Sequence, residues 1–157
     1  MNQTTNLRRI MRESEQLKTL CDEYKQMFNI KMVDDNIYHW ESVIFGPKNT
    51  PYDGYEFVVD IMLPRDYPKT PLSAKFITSI QHVNINTAGD ICLDILNASW
   101  SPKLNITSVL ISIISLLSDP NFDDPLNSDL AGLYRKDKKA YRNIIRTACR
   151  KSAKKHI

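Results

Sequence analysis

The sequence predicts an α+β fold in which helices and an antiparallel sheet occupy separate parts of the chain. Apolar residues recur at helical spacing near the N-terminus and again after residue 105, whereas short strand-like segments fill residues 37–77. Short strands joined by turns that contain Pro and Gly favour an antiparallel meander. With 157 residues, the chain is predicted to form one domain over residues 1–157, ending in a short basic segment.

An amphipathic first helix is predicted over residues 7–24, where apolar side chains return every three or four positions. Ser14 is the one polar member of this face. Cys21 also lies on the face, which favours a cysteine packed in the core. The opposite side is predicted to be charged, with a basic beginning, and it includes Arg8, Arg9, Arg12 and Glu13.

Three strands are visible in the residue pattern. Residues 37–45 are rich in aromatic and β-branched side chains, and residues 56–63 alternate with a period of two. Residues 74–77 are predicted to form one more short strand. Gly46-Pro47 and the segment 51–54 mark the connection between the first two strands as a turn-rich loop.

Residues 82–104 show no clear periodicity and mix Asn, Asp, Gly, Ser and Pro with isolated apolar residues. A loop of this length inside a domain is unusual and is often functional. Cys92 lies near its centre. Taken alone, such a cysteine is more often a small buried hydrophobe than a nucleophile, because reactivity requires exposure and thiolate character.

A central helix is predicted after this loop. Asn105 caps it, it extends over residues 106–118, and Asp119-Pro120 ends it. Apolar side chains cover most of its circumference, which indicates burial. One narrow face is either the edge of the core or an exposed contact for a partner. That face contains Ser108, Ile111, Ser112 and Ser115.

Two further helices are predicted to complete the chain. Asn127 or Ser128 caps the first, which ends near residue 135, and Asp137 caps the second. The basic segment 150–156 is interpreted as a solvated tail, with binding of an acidic partner as the alternative. The apolar face of the last helix consists of Tyr141, Ile144, Ile145 and Ala148.

Composition argues against several classes of protein. The formal charge of +3 is mild and its basic residues cluster at the two ends, so it does not favour binding to nucleic acid, which would be strongly salt-dependent. The three cysteines lack the spacing of a zinc or redox motif, which predicts a reducing compartment, no disulfide and no metal site. No apolar segment reaches the roughly 20 residues of a membrane span, so we expect a soluble protein without a membrane partner.

Short motifs follow one another along the chain. They are Tyr38-His39-Trp40; Gly46-Pro47 with Thr50-Pro51-Tyr52 and Gly54; Leu63-Pro64 with Asp66-Tyr67-Pro68; His82-Val83-Asn84-Ile85-Asn86; Gly89 with Ile91-Cys92-Leu93-Asp94-Ile95-Leu96; Trp100-Ser101-Pro102; and Asp119-Pro120-Asn121 with Asp123-Asp124-Pro125-Leu126. In order and spacing, these motifs resemble the ubiquitin-conjugating enzyme family over nearly the whole chain. The resemblance implies an N-terminal helix, a four-stranded antiparallel meander, a long active-site loop, a central helix and two C-terminal helices.

The resemblance also implies an enzyme, an acyl transferase with a thioester intermediate. Cys92 would accept the C-terminus of ubiquitin from an activating enzyme and pass it to a lysine of a protein substrate, usually with a ubiquitin ligase. No cofactor is implied, because the activating enzyme consumes the ATP of the pathway. Two alternatives are a carrier of another ubiquitin-like modifier and a non-catalytic ubiquitin-binding variant of the same fold. The presence of Cys92, Asn84 and Asp124 argues against the non-catalytic variant.

The same resemblance assigns roles to residues around Cys92. Asn84 would donate a hydrogen bond to the oxyanion or brace the loop, although an asparagine there also fits a local turn. Asp124 would position the incoming lysine, although it also fits a turn residue before Pro125. His82 and Asp94 would support the loop.

Contacts with partners are implied in the same way. The activating enzyme and ligases would meet the first helix and two loops, and the central helix would hold donor ubiquitin. The expected contacts are Arg8, Arg9, Pro68, Lys69, Ser101, Pro102 and Lys103 for the activating enzyme and ligases, and Ser108, Ile111 and Ser115 for ubiquitin. We expect a monomer located in the cytoplasm, the nucleus or both.

Two residues depart from the family pattern. Lys69 stands where close relatives carry a bulky apolar side chain, which favours a RING-type ligase over a thioester-forming ligase. Val83 stands where the family usually has proline, and proline at a compatible site contributes about 0.4–1 kcal/mol of stability. We therefore expect a modestly looser loop and retained activity.

Overall fold

The computed structural model describes residues 3–157 and confirms the α+β class. Its elements, in chain order, are α1 (Gln3–Lys18), α2 (Asp22–Lys25), β1 (Phe28–Val33), β2 (Asn36–Phe45), β3 (Tyr55–Met62), β4 (Ser73–Phe76), a short 3₁₀ helix (Asp94–Leu96), α3 (Ile106–Ser118), α4 (Ser128–Lys136), α5 (Lys138–Ser152) and β5 (Lys154–Lys155). None of the helices within residues 3–157 combines the length and the apolarity needed to cross a membrane.

The first four strands form the expected antiparallel meander, in the order β1-β2-β3-β4. In β3, every second side chain from Tyr55 to Ile61 is buried, as the period of two predicted. These side chains share one hydrophobic core with Val109 and Ile113 of α3. The residue pattern gave no boundaries for β1, and the polar Asn29 and Lys31 within it explain why.

Side-chain caps begin the three C-terminal helices where the sequence predicted them. Asn105 accepts the N–H of Ser108 at 2.8 Å, and the Asn105 N–H donates to the Ser108 hydroxyl at 3.4 Å, which completes a capping box. Asn127 and Asp137 each accept the N–H of the residue three positions later. These caps fix the beginnings of α3, α4 and α5 by local hydrogen bonds.

The first helix is shorter than predicted. α1 ends at Lys18, after which the Thr19 N–H donates to the Gln16 carbonyl and tightens the last turn. Residues 22–25 form the separate helix α2. Cys21 lies in the connection and is exposed, so its predicted place in the core is wrong.

The buried face of α1 also differs from the prediction. Glu13 is only 5% exposed, whereas Met11 is 60% exposed. A helical turn contains about 3.6 residues, so Glu13 and Ser14 share a face with Ile10 and Leu17, and Met11 does not. The charge of Glu13 had suggested the solvent-exposed side, but its position on the helix places it inside.

The basic C-terminal segment is not a solvated tail. Residues 154–155 form β5, which pairs with the first two residues of β3. Because β4 pairs with β3 only from Val59 onward, the earlier part of this strand edge is open to another segment. The His156 N–H donates to the Gly54 carbonyl at 2.8 Å, and the His156 ring stacks on Phe45 with 4.0 Å between ring centroids.

The apolar face of α5 is narrower than predicted. Tyr141, Ile145 and Cys149 are buried at a spacing of four residues. Ile144 is 46% exposed, so its predicted place in the core is wrong. Successive residues of a helix are rotated by about 100° around its axis, so Ile144 points about 100° away from its neighbour Ile145 in the buried row. Ile144 therefore remains on the surface.

Candidate active site

Cys92 lies at the end of a small hairpin. Ile85 and Ile91 form an antiparallel bridge, and the Cys92 N–H donates to the Asn84 carbonyl at 2.9 Å. The turn between them is closed by the Asn86 side chain, which accepts the N–H groups of residues 88 and 90. The backbone beside the thiol is therefore held by the backbone of Asn84.

Gly89 seats this hairpin on the sheet. Its φ is +90°, in the left-handed region that favours glycine. Its carbonyl accepts the Phe76 N–H at 2.9 Å, and a Cβ at residue 89 would lie 2.1 Å from the Phe76 carbonyl oxygen. A larger residue is thus excluded here, and the hairpin that carries Cys92 rests on β4.

His82 fixes the other end of the hairpin. It is fully buried, its Nδ1 accepts the Asn84 N–H at 2.9 Å, and its Nε2–H donates to the Leu116 carbonyl at 2.9 Å. Burial lowers the pKa of His82 to about 4, so the imidazole is neutral at pH 7. Both ring nitrogens are occupied, which makes this histidine a connection between the hairpin and α3 and leaves it no free nitrogen for proton transfer.

The side chain of Asn84 connects the hairpin to residues 119–127. Its Nδ2–H donates to the Asn121 carbonyl at 2.7 Å and more weakly to the Asp124 carbonyl at 3.5 Å, and its Oδ1 accepts the Asn121 N–H at 2.8 Å. Asn84 is 1% exposed. The Val83 carbonyl accepts two further N–H groups, those of residues 126 and 127. The segment that carries Asp124 is therefore fixed on both sides.

Three predicted site residues reach solvent in different degrees. Cys92 is half-buried, whereas Asp124 and Asp94 are exposed. The Asp94 carbonyl accepts the N–H groups of residues 97 and 99, so Asp94 organises the 3₁₀ turn after Cys92. The half-buried thiol and the exposed carboxylate of Asp124 are both accessible from solvent, as an incoming acyl group and amine would require.

Hydrogen bonds link the segments that carry the predicted ligase-facing residues. The Trp100 indole N–H donates to the Pro68 carbonyl at 2.8 Å, which joins the two loops that carry them. Ser101 is half-buried and Pro68 is buried. The exposed residues of this set are Arg8, Lys69, Pro102 and Lys103. Arg9 is also half-buried and donates to Glu13 and to two backbone carbonyls.

The serine face of α3 lies at the edge of the core. Ile111 packs against the core and keeps part of its side chain in solvent. Ser108 is half-buried and Ser115 is exposed. Of the two interpretations of this face, the structure supports the edge of the core. The exposed part of the face still leaves room for a contact with a partner.

Sequence reasoning missed two residues that organise these segments. Asn121 belonged to a quoted motif but received no role, although its backbone holds the Asn84 amide. Glu13 was placed on the surface, although its spacing of three from Ile10 and four from Leu17 was the signal of a buried position.

Comparison with known proteins agrees with this geometry. The profile of the family described as "Ubiquitin-conjugating enzyme" matches residues 9–149. A curated relative named "Probable ubiquitin-conjugating enzyme E2 L460", from Acanthamoeba polyphaga mimivirus, is 46% identical over 152 residues, which is 96% of this chain and 96% of the relative.

Solved structures give the same result. The E2 domain of a Toxoplasma gondii ubiquitin-conjugating enzyme has a TM-score of 0.80 and 36% identity, covering 91% of this chain and 99% of that one. A putative ubiquitin-conjugating enzyme from Plasmodium yoelii has a TM-score of 0.87 and 35% identity, covering 96% of this chain and 97% of that one.

These matches include both parts of the site, because residues 9–149 contain the hairpin of Cys92 and the segment of Asp124. They also agree with the predicted fold along nearly the whole chain. Membership implies ubiquitin, an activating enzyme and a ligase as partners in general. The chain belongs to the ubiquitin-conjugating enzyme family and is therefore a transferase of ubiquitin conjugation.

Proposed function

We propose that this protein carries ubiquitin as a thioester on Cys92 and passes it to a lysine amine of a protein substrate. The observation that carries the proposal is the placement of the half-buried thiol on a hairpin whose Asn84 also holds the segment of Asp124. A fixed backbone at the thiol and an exposed carboxylate on the segment that Asn84 holds suit a site that must admit two large partners in succession.

In the first step, ubiquitin moves from one thiol to another. The Cys92 thiol loses its proton and its sulfur attacks the ubiquitin carbonyl held as a thioester on the activating enzyme. A C–S bond forms to Cys92, the old C–S bond breaks, and the cysteine of the activating enzyme leaves as a thiolate, which takes up a proton from solvent in place of the one that Cys92 released. The products are again one thioester and one thiol, so no further co-reactant is needed.

In the second step, a neutral lysine amine attacks the thioester carbonyl. A C–N bond forms, the C–S bond breaks, the nitrogen releases its surplus proton to solvent, and Cys92 leaves as a thiolate that takes up a proton to restore the thiol. Free lysine has a pKa near 10.4, and a nearby carboxylate favours the charged ammonium. Asp124 therefore serves to position the lysine, and loss of its proton depends on removal of water from the closed site.

Asn84 acts in this proposal mainly as a brace. One N–H of its side-chain amide donates to the Asn121 carbonyl and its Oδ1 accepts the Asn121 N–H, whereas the second N–H makes only the 3.5 Å contact with the Asp124 carbonyl. The two short bonds brace the segment of Asp124. A buried amide with two such partners is well suited to holding two segments in register.

The choice of partners extends this proposal. Lys69 is exposed and charged in a ligase-facing loop, which supports a RING-type ligase in preference to a thioester-forming ligase that needs an apolar anchor. We further propose that the protein acts as a monomer, with one catalytic domain over residues 1–157, in the cytoplasm, the nucleus or both.

Thioester formation tests the central proposal. The protein is mixed with activating enzyme, ubiquitin and ATP, and the products are separated on parallel non-reducing and reducing gels. We expect a thiol-sensitive band larger by one ubiquitin, lost in Cys92→Ala. Cys21→Ala is the matched control, because it removes an exposed thiol outside the site and should keep the band.

A folded protein that forms no such band would contradict the proposal. The same assay with other modifiers and their activating enzymes would then distinguish a carrier of a related modifier from a non-catalytic variant.

A further inference from the structure

A buried carboxylate in α1 joins three segments of the chain. Glu13 is 5% exposed, and its Oε1 accepts the Ile106 N–H at 2.9 Å. Its Oε2 accepts the Tyr67 hydroxyl at 2.6 Å and the Arg9 Nε–H at 2.9 Å. One side chain therefore connects α1 to the loop before β4 and to the first residue of α3.

Arg9 extends this connection to the loop before α3. Its two terminal nitrogens donate to the carbonyls of Pro102 and Leu104, both at 2.6 Å. Its guanidinium also lies over the ring of Tyr67, 5.6 Å from the centroid. We call this set the α1 network, and its side chains are those of Arg9, Glu13 and Tyr67.

A carboxylate is an unusual side chain on the buried face of α1. Ile10 and Leu17, on the same face of α1, are apolar core residues. An apolar side chain there would contribute to the core but could not accept the Ile106 N–H and the Tyr67 hydroxyl, whereas the hydrogen bonds of the carboxylate fix one geometry of the segments they join. The chemistry of Glu13 therefore suits the placement of segments relative to one another.

The joined segments are those assigned above to the ligase and to donor ubiquitin. The loops of Lys69 and Pro102 face the ligase, and Ile106 begins the helix that carries Ile111. On the basis of that proposed function, we propose that Glu13 is a positioning residue of the transfer reaction. It holds the ligase-facing loops and α3 in one arrangement, so that a ligase bound to the loops stabilises the ubiquitin-holding position of α3.

Glu13→Gln tests this role with little change in volume. The amide has one acceptor oxygen in place of two, so it cannot satisfy Ile106, Tyr67 and Arg9 together. Glu13 itself is buried and reaches no ligase, and the variant keeps the side chain of Arg9, an expected ligase contact that also retains its bonds to Pro102 and Leu104.

The quantity to measure is the stimulation ratio. It is the rate of ubiquitin discharge from the protein to free lysine with a saturating concentration of an isolated RING domain, divided by the rate without it. The RING domain is the one in a panel that most stimulates the wild-type protein. We expect Glu13→Gln to lower the ratio by about fivefold or more, the lower end of typical coupling between two sites.

Arg146→Lys is the matched control. Like Arg9, Arg146 donates to two backbone carbonyls of a loop, those of Pro51 and Asp53, and lies over a tyrosine ring, at 5.1 Å from the Tyr55 centroid. It is linked to neither ligase-facing loop by these bonds. A loss of structure alone would affect both variants, whereas the proposal expects a normal stimulation ratio in Arg146→Lys.

Hydrogen exchange provides a second measurement that needs no ubiquitin. In Glu13→Gln, the Ile106 amide should exchange faster than in the wild-type protein and in Arg146→Lys, because its N–H competes with the Tyr67 hydroxyl and the Arg9 Nε–H for one acceptor oxygen. Unchanged protection of this amide, or a stimulation ratio equal to that of the wild type, would overturn the proposal. So would a thioester-forming wild-type protein that no RING domain stimulates.

The two proposals fail in different ways. A wild-type protein that forms no thioester contradicts the carrier function itself. In that case the exchange rate of the Ile106 amide still decides whether Glu13 positions α3.

Discussion

At the scale of single residues, Asn84 connects the two parts of the site. Its amide bonds only the backbone of Asn121 at short distance, so we expect Asn84→Ala to leave that backbone unpaired. The free energy of unfolding should fall by about 1–3 kcal/mol, and lysine discharge should slow because Asp124 is no longer held. Urea unfolding and single-turnover discharge measure the two effects.

The stability measurement separates bracing from oxyanion stabilisation. An asparagine that only stabilised the oxyanion would give about 10²–10³-fold slower discharge with unchanged unfolding. Asn143→Ala, which removes an exposed asparagine on α5, is the control for a general effect of losing an amide.

His82 predicts a pH dependence of stability. Its pKa is about 4 in the folded chain because of burial, against about 6.5 when unfolded. The unfolded chain therefore binds the proton first, and the stability contribution present above pH 6.5 is lost as the pH falls towards 4. The loss amounts to about 3 kcal/mol for this group.

Urea midpoints at pH 7.5 and pH 4.5 measure this loss for the whole chain. His82→Asn keeps an acceptor for the Asn84 N–H and does not titrate. Its midpoint should therefore change less between the two pH values than that of the wild type. An equal change in both proteins would show that His82 is not responsible.

At the scale of elements, local sequence signals were enough to predict where the three C-terminal helices begin. Asn105, Asn127 and Asp137 cap them as predicted, because a cap is a hydrogen bond between residues three positions apart. The end of α3 at Ser118 was also predicted, since Asp119-Pro120 cannot continue a helix.

Elements that depend on distant segments were not predictable in the same way. Nothing in residues 154–155 marks them as a strand, because their partner is the open edge at the beginning of β3. Helical spacing continued to Tyr24, yet α1 ended earlier at Lys18. In both places, tertiary contacts or a tightened turn overrode the local pattern.

The C-terminal strand leads to a prediction at this scale. Ending the chain after Ala153 removes the β5 pairing, the bond from the His156 N–H to Gly54, and the stacking on Phe45. We expect a loss of about 1–3 kcal/mol in the free energy of unfolding. His156→Ala keeps the backbone bonds and should lose a smaller part. A truncated chain as stable as the full chain would restore the interpretation of a solvated tail.

At the scale of the whole molecule, motifs predicted which residues form the proposed site but not how those residues are connected. Cys92, Asn84 and Asp124 could be selected from the sequence because their motifs are short and in register. The bond between Asn84 and Asn121 spans 37 residues, and the one between Glu13 and Ile106 spans 93. Only the packing of the fold decides such partners, because residue type and spacing leave many acceptors equally available.

Chemical labelling of the three cysteines measures whether the whole domain unfolds cooperatively. Cys21 is exposed and Cys92 half-buried, whereas Cys149 is 2% exposed and its pKa is raised to about 11, mainly by burial. We expect iodoacetamide to label Cys21 and Cys92 in the native protein, and Cys149 only through unfolding. Mass spectrometry of peptides over a urea series measures the three rates.

If residues 1–157 form one cooperative domain, the labelling rate of Cys149 should follow the globally unfolded fraction obtained from tryptophan fluorescence. Trp40 and Trp100 report on the sheet and on the loop after Cys92, far along the chain from α5. Cys149 labelling that precedes the fluorescence transition would show that α5 opens by itself, and the single cooperative domain would then be contradicted. Agreement of the two curves would mean that the helices after the site and the sheet before it are lost together, because they share one core.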